Sequence, residues 1–389
     1  LRPGPASTRP CFDTSRFDRI PFDPANSTTM IRPARALLPL TLTTLLSAGA
    51  TAAVDTGAAV EGLSFQHGDW EVACDNTRTC RAAGYQSDDD EDALPVSVLL
   101  TRAGGAGTPV TGQVQLSEGW DEDLFKGFPA RFPLTLRIDG RDLGSVTLAK
   151  DALTADLGAG QVAALLKSLL RDSRIEFRAR DKVWPLSGAG ASAVLLKMDE
   201  AQGRVGTVGA LYRRGKQDET QVPPALPKPV IVSPPLAPAQ PGDAAFAEKH
   251  GAAVRAALRG AAGAEDCEGV TETDEDHALE VTRLTKTQLL VSTRCWLAAY
   301  NAGVGYWIIA DRPPYRPVLV TTDATDSDGG AIHSGQKGRG IGDCWSTEGW
   351  TWDGRGFVHS ESGGSGQCKG FAGGAWDMPT RVSEVRAGR

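Results

Sequence analysis

The chain has 389 residues, 41% of them hydrophobic, 23% charged and only 6% aromatic, with a mean hydropathy of -0.23. That is enough for two or three globular domains and too polar for a protein that crosses a membrane several times. A formal charge of -7 lacks the broad positive field that a phosphate backbone requires, which argues against nucleic acid as a partner.

The first patterned element begins at Met30. Ile31, Arg32 and Arg35 form a short basic region, Ala36 to Leu46 an apolar run, and Ala50-Thr51-Ala52 a small-residue cleavage pattern. The run is too short for the roughly 20 apolar residues that a bilayer core needs. Residues 30–52 are therefore expected to be a cleaved secretory signal; a buried amphipathic helix fits this order poorly. Residues 1–29, rich in Pro, Ser and Arg, are expected to be a translation start placed too far upstream. Cys11 then drops out and six cysteines remain, an even number that implies disulfides in an exported chain. No cysteine sits at the cleavage point, so acylation is not expected, and the product should not span the membrane after processing. Residues 1–52 hold six basic and three acidic side chains, so the remainder carries 35 against 45 and a formal charge of -10.

A first domain is expected over 61–221. Trp70, Val72 and Cys74 alternate with Glu71 and Ala73, the period of a half-buried strand. Similar runs recur at 96–101, 112–116, 132–138 and 175–179, with Asp139-Gly140 as a turn. Val162, Leu165, Leu166 and Leu169, then Ala191, Val194, Leu195 and Met198, follow helical spacing and give each helix one apolar stripe. The run Asp88-Asp89-Asp90-Glu91-Asp92 is expected to be a solvated loop. Residues 222–242 contain eight of the chain's 24 prolines and predict an extended linker. The second domain, 243–389, should open with a helix from an Asp243 N-cap to Leu258, Phe246, Val254 and Leu258 facing inward. Strands are expected at 279–284, 288–293, 306–310 and 318–321, and a hairpin at 350–357 with its turn at Asp353-Gly354 and Trp350 and Trp352 on one face. The expected fold class is α+β: two mostly antiparallel β domains, each with one or two packed helices, joined by the Pro-rich linker.

Cys74 and Cys80 flank a turn-forming Asp75-Asn76 and suit a disulfide; zinc would need Cys or His at ligand spacing, and His67 is the only histidine nearby. Cys267, Cys295, Cys344 and Cys368 can pair in three ways, the sequential choice closing two moderate loops worth roughly 3 kcal/mol each against about 2 for the short one. No CxxC redox motif is present. Gly363-Gly364-Ser365-Gly366-Gln367 fails as a nucleophile elbow at its last position, and no metalloprotease, P-loop or dinucleotide motif occurs. Residues 323–330 evoke a calcium loop, but an EF-hand aligned on Gly329 would put Ala324 and Gly335 at ligand positions, so an acidic turn is expected. None of His67, His250, His277, His333 and His359 has an adjacent partner marking a general base. Six of nine tryptophans fall after residue 243, and Trp345, Trp350, Trp352 and Trp376 form a possible ligand face.

Four separated blocks resemble one family. Phe65-Gln66-His67-Gly68-Asp69-Trp70-Glu71-Val72-Ala73-Cys74-Asp75-Asn76 with Cys80, Leu195 to Thr207, Gly366-Gln367-Cys368-Lys369-Gly370, and Gly373 to Thr380 are similar to the bacterial domain of unknown function 1176. The first domain, with its Gly-Asp-Trp and paired cysteines, also resembles the invasion-associated locus B family of exported proteins. The resemblance implies a Gram-negative periplasmic or secreted protein with no catalytic positions to carry over. The leading expectation is a non-enzymatic module, needing no cofactor, that binds an envelope component or a protein partner. Alternatives are a hydrolase of envelope polymers using Asp326, Asp328 and Glu361, and an inhibitor or host-contact factor.

Overall fold

Period-two apolar patterning draws the first half of the chain into strands, and the computed structural model describes this for residues 62–388 other than 91, 120, 262 and 266. The expected upstream extension, signal segment and Cys11 lie outside the described residues. The strands run β1 (Leu63–His67), β2 (Trp70–Cys74), β3 (Cys80–Tyr85), β4 (Val96–Arg102), β5 (Thr111–Leu116), β6 (Arg131–Ile138), β7 (Arg141–Ala149) and β8 (Thr154–Asp156). Helix α1 (Ala159–Ser168), β9 (Ile175–Ala179), β10 (Lys182–Leu186) and α2 (Ala191–Ala201) follow. One antiparallel sheet has the order β1-β2-β3-β4-β5-β8, a second β10-β9-β6-β7. Asp139 and Gly140 form the two-residue turn of the β6–β7 hairpin, both at positive φ (50° and 79°), the geometry that selects Asp-Gly.

Between these sheets Trp70, Val72, Ala82, Val98 and Leu100 meet Phe132, Leu134, Phe177 and Trp184, together with the apolar stripes of both helices. Trp70 lies flat across Gly84, where any Cβ would come within 2.1 Å of the indole, and its Nε1 donates to Ser187 O at 2.8 Å. Alternation predicts that Ala73 faces water. Instead Ala73, Ala83, Tyr85 and Leu99, on the reverse face of the first sheet, are buried under Phe371, Ala375 and Met378. Both faces of this sheet are therefore covered, the second by the far end of the chain.

The Pro-rich stretch contains β11 (Val230–Ser233), and after it come α3 (Phe246–Leu258), β12 (Glu280–Arg283), β13 (Gln288–Leu297), β14 (Ala302–Ala310) and β15 (Val318–Ala324). The chain ends with β16 (Asp326–Asp328), β17 (Ala331–Lys337), β18 (Trp345–Trp352), β19 (Phe357–Gly364), β20 (Met378–Arg381) and β21 (Glu384–Ala387). Strands β12 to β15 form one antiparallel sheet and β16 to β20 another, each in sequence order. Leu289, Val291, Trp307 and Ile309 face α3 through Phe246, Val254 and Leu258, while the alternate residues Leu290, Tyr306 and Ile308 pack on Ile332 and Trp352 of the last sheet. The architecture is mostly antiparallel β with few helices.

Three local expectations change. The Pro-rich segment is extended, but Val230–Ser233 pairs in parallel with β21, because only there do four successive residues of the segment all keep the backbone N–H that a ladder uses. Asp243 does not cap α3: it opens a 3₁₀ turn, and its carboxylate clamps the Arg283 guanidinium at 2.5 Å and 3.1 Å. The 350–357 hairpin turns through four residues, Asp353 Oδ1 accepting from the N–H groups of Arg355 and Gly356 at 2.8 Å each.

The disulfides join Cys74 to Cys80, Cys267 to Cys295 and Cys344 to Cys368, the sequential pairing in the second half. Sequence separations of 28 for Cys267–Cys295 and 6 for Cys74–Cys80 set unequal contributions from loop closure. Replacing Cys267 and Cys295 together by Ser should cost about 3.5 kcal/mol, against about 2 kcal/mol for Cys74 and Cys80. Urea unfolding of the two double variants checks that order.

Candidate binding site

The loop 366–370 crosses the reverse face of the first sheet between two glycines at positive φ, Gly366 (92°) and Gly370 (84°). A Cβ on Gly366 would come within 2.2 Å of Tyr85 Oη, so only glycine allows this approach. The Gln367 backbone N–H and the Tyr85 hydroxyl both donate to Glu71 Oε1 at 2.7 Å. Burial pushes the Glu71 carboxyl above its ordinary pKa, an effect those two hydrogen bonds only partly offset. Burial and the neighbouring Glu71 push the Tyr85 hydroxyl well up, which keeps it a donor.

Lys369, 5% exposed, carries its ammonium to Asp69 at 2.8 Å and Asp88 at 2.7 Å and donates to Gln86 O at 3.3 Å. Gln86 Nε2 returns a bond to Lys369 O at 2.9 Å, and Ser117 Oγ donates to Gly370 O at 2.7 Å. From the other side the Cys344–Cys368 disulfide ties the loop to the start of β18. Arg339 pairs with Asp343 and donates to Cys368 O at 3.0 Å. Burial opposes ionisation of Asp343, but the Arg339 guanidinium and the Gly370 N–H outweigh it and hold that carboxyl below its usual value. Asp343, Cys344 and Cys368 bring metal-ligand-type atoms within 4.8 Å of one another, yet both sulfurs are consumed in their disulfide.

The loop separates two clefts that share Asp88, Cys368 and Lys369. One, of about 310 Å³, is walled by Asp88, Asp90, Asp92, Glu118, Asp121 and Arg339. The other, of about 420 Å³, is walled by Gln66, Glu71, Trp345, Ser346 and Gln367. The Asp88–Lys369 pair stands between them.

Asp69, Glu71 and the 366–370 loop of this junction belong to the first and third sequence blocks, Gly-Asp-Trp-Glu and Gly-Gln-Cys-Lys-Gly. A family model described as a protein of unknown function, DUF1176, matches residues 64–383. The chain belongs to this family. It is similar to the uncharacterized protein YpfG of Escherichia coli K12, 26% identical over 311 residues that cover 74% of this chain and 84% of YpfG. The crystal structure of invasion associated protein B from Bartonella henselae aligns with 36% of this chain and 99% of its own at 15% identity and a TM-score of 0.22, too low to establish a shared fold.

The four tryptophans expected on one ligand face are dispersed. Trp352 is 1% exposed in the core between the last two sheets, and Trp350, half-buried against that core, stacks on His359 with ring centroids 5.4 Å apart. Trp376 packs beneath the first sheet and donates to Ser97 Oγ at 2.6 Å. Of the four, Trp345 lines a cleft of this junction. Asp326 and Asp328 lie on the exposed edge strand β16, whose Gly329-Gly330 turn (φ 55° and 95°) makes the supposed calcium loop a hairpin. Asp326 lines a cleft with Glu275 and Glu280, whereas Glu361 lines another with Asp377 and contacts His333 at 3.5 Å. The three carboxylates proposed for hydrolysis are thus not brought to one cleft. Sequence reasoning missed Asp69, Glu71, Tyr85, Arg339 and Lys369 as a group because they come from distant segments. Asp69, Glu71 and Lys369 carried one signal, membership of the motif blocks, and Tyr85 and Arg339 lie outside those blocks.

Two measurements test this junction. Lys369→Ala leaves Asp69 buried without its partner and should lower stability by about 3 kcal/mol in urea unfolding, while Lys369→Met combined with Asp69→Leu should recover most of that loss. The raised Glu71 pKa means that the unfolded chain loses this proton first, so the contribution of Glu71 to stability falls as pH rises from the ordinary carboxylate range toward the folded value. Glu71→Gln does not titrate, and its melting temperature relative to wild type should climb between about pH 4 and pH 7; a constant difference would contradict a buried carboxyl.

Proposed function

We propose that this is an exported, disulfide-stabilised binding protein, periplasmic or secreted, that holds an ammonium-bearing envelope component or basic protein segment in the acidic cleft. One observation carries the ligand chemistry. Asp90, Asp92, Glu118 and Asp121 line or rim this cleft with no ion-pair partner among the described residues, while the two cations there, Lys369 and Arg339, are already neutralised. A cationic group entering the cleft meets an excess of carboxylates on walls held by the Lys369 and Asp343 contacts. Three cysteine pairs and the signal pattern before residue 53 support export. In this reading the two pairs of sheets on either side of 222–242 act as linked domains, with the site where the second reaches back onto the first.

Calorimetric titration with a tetralysine peptide and a tetraglutamate peptide tests the idea. Tetralysine should bind and weaken with salt, and Asp90→Asn with Asp121→Asn should reduce its affinity about tenfold, roughly 1.4 kcal/mol. Equal binding of tetraglutamate, or no effect of the double variant, would overturn it.

A further inference from the structure

The second cleft, beyond the Asp88–Lys369 pair, has a different chemistry. One wall is the indole of Trp345, and that ring is immobilised before any ligand arrives. Its Nε1 donates to Gly342 O at 2.9 Å, its backbone N–H donates to Ser365 Oγ at 2.8 Å, and the Lys337 ammonium lies 5.3 Å from the ring centroid. A ligand packing on it therefore orders no further rotamer. Gln66, Gln367, Ser346 and the Glu71 carboxyl line the same cleft. These short planar amides, hydroxyl and acid donate and accept hydrogen bonds without presenting a strong field. Lys369 adds little charge because Asp69 and Asp88 neutralise it, and burial favours the uncharged form of Glu71.

An aromatic surface sharing a cleft with polar groups and no unpaired cation suits a ligand with one C–H face and a rim of hydroxyl or acetamido groups. A phosphate would find no unpaired cation among the lining residues, because Lys369 is held by Asp69 and Asp88, and a wholly apolar ligand would leave the Gln66 amide without a partner. We propose that this cleft binds a neutral hexose or N-acetylhexosamine unit of an envelope glycan, stacked on Trp345. The volume of about 420 Å³ suits one or two sugar rings. The inference goes beyond the ammonium site and does not depend on it. A glycan bearing an amine-containing branch would span both clefts across Lys369.

The test is titration of the full exported chain with N,N′-diacetylchitobiose and with cellobiose, followed by tryptophan fluorescence and calorimetry. Saturable binding of at least one at millimolar concentration is expected, and the pair separates acetamido from plain hydroxyl recognition. Trp345→Ala should weaken it at least tenfold and Trp345→Phe should restore part of the loss. Gln66→Ala, at an exposed position on β1, should weaken it without unfolding the protein and so guards against a misfolded Trp345 variant. Neither sugar binding, or binding unchanged in both Trp345→Ala and Gln66→Ala, would overturn the proposal. The tetralysine titration reads the acidic cleft separately, so either assignment can fail alone.

Discussion

An ammonium group enters a protein interior only where opposite charge meets it, and Lys369 meets Asp69 across 300 positions of sequence. That contact requires the 366–370 loop to lie against the first sheet. Phe371, Ala375 and Met378 follow directly and cover Ala73, Ala83 and Tyr85, which would otherwise face water. Around the same loop the Glu71–Tyr85–Gln367 hydrogen bonds and the Asn76 side chain, bonded to Val382 through both its amide atoms, repeat the attachment. The beginning and the end of the described chain thus hold each other.

The same attachment explains why clefts flank the loop. Apolar residues of the C-terminal segment fill the centre of the sheet's reverse face, but at its rim the facing groups are charged and cannot interdigitate tightly. The cations among them are committed to specific partners: Lys369 to Asp69 and Asp88, Arg339 to Asp343. Space remains between these fixed pairs. Its walls are rigid because a disulfide and ion pairs hold the loop from both sides, and a rigid, partly charged recess is suited to recognition.

Much of the fold was legible because its signals are local. Every strand expected in the first half formed, and both helical stripes, Val162 to Leu169 and Ala191 to Met198, are directed into the core. Asp139-Gly140 made its turn because two adjacent positive φ angles favour those residues. The misses occurred where a distant group competed. Asp243 abandoned its cap for Arg283. Ala73, polar-facing by alternation, was buried by residues from the opposite end of the chain. Trp352 was drawn into the core between the last two sheets, while Trp345, with the same composition signal, reached a cleft.

The sequence by itself determined the strand and helix periodicity, the even cysteine count after residue 53, the acidity and the kinship. These depend on backbone hydrogen-bond geometry and composition, which are set within a few residues. Only the tertiary structure decided which face of the first sheet the C-terminal segment would cover, which four carboxylates would line a cleft unpaired, and which tryptophan would line the cleft beside it. Those outcomes follow from burying charge and apolar surface together, and burial is a property of segments that meet in space, which no local pattern encodes.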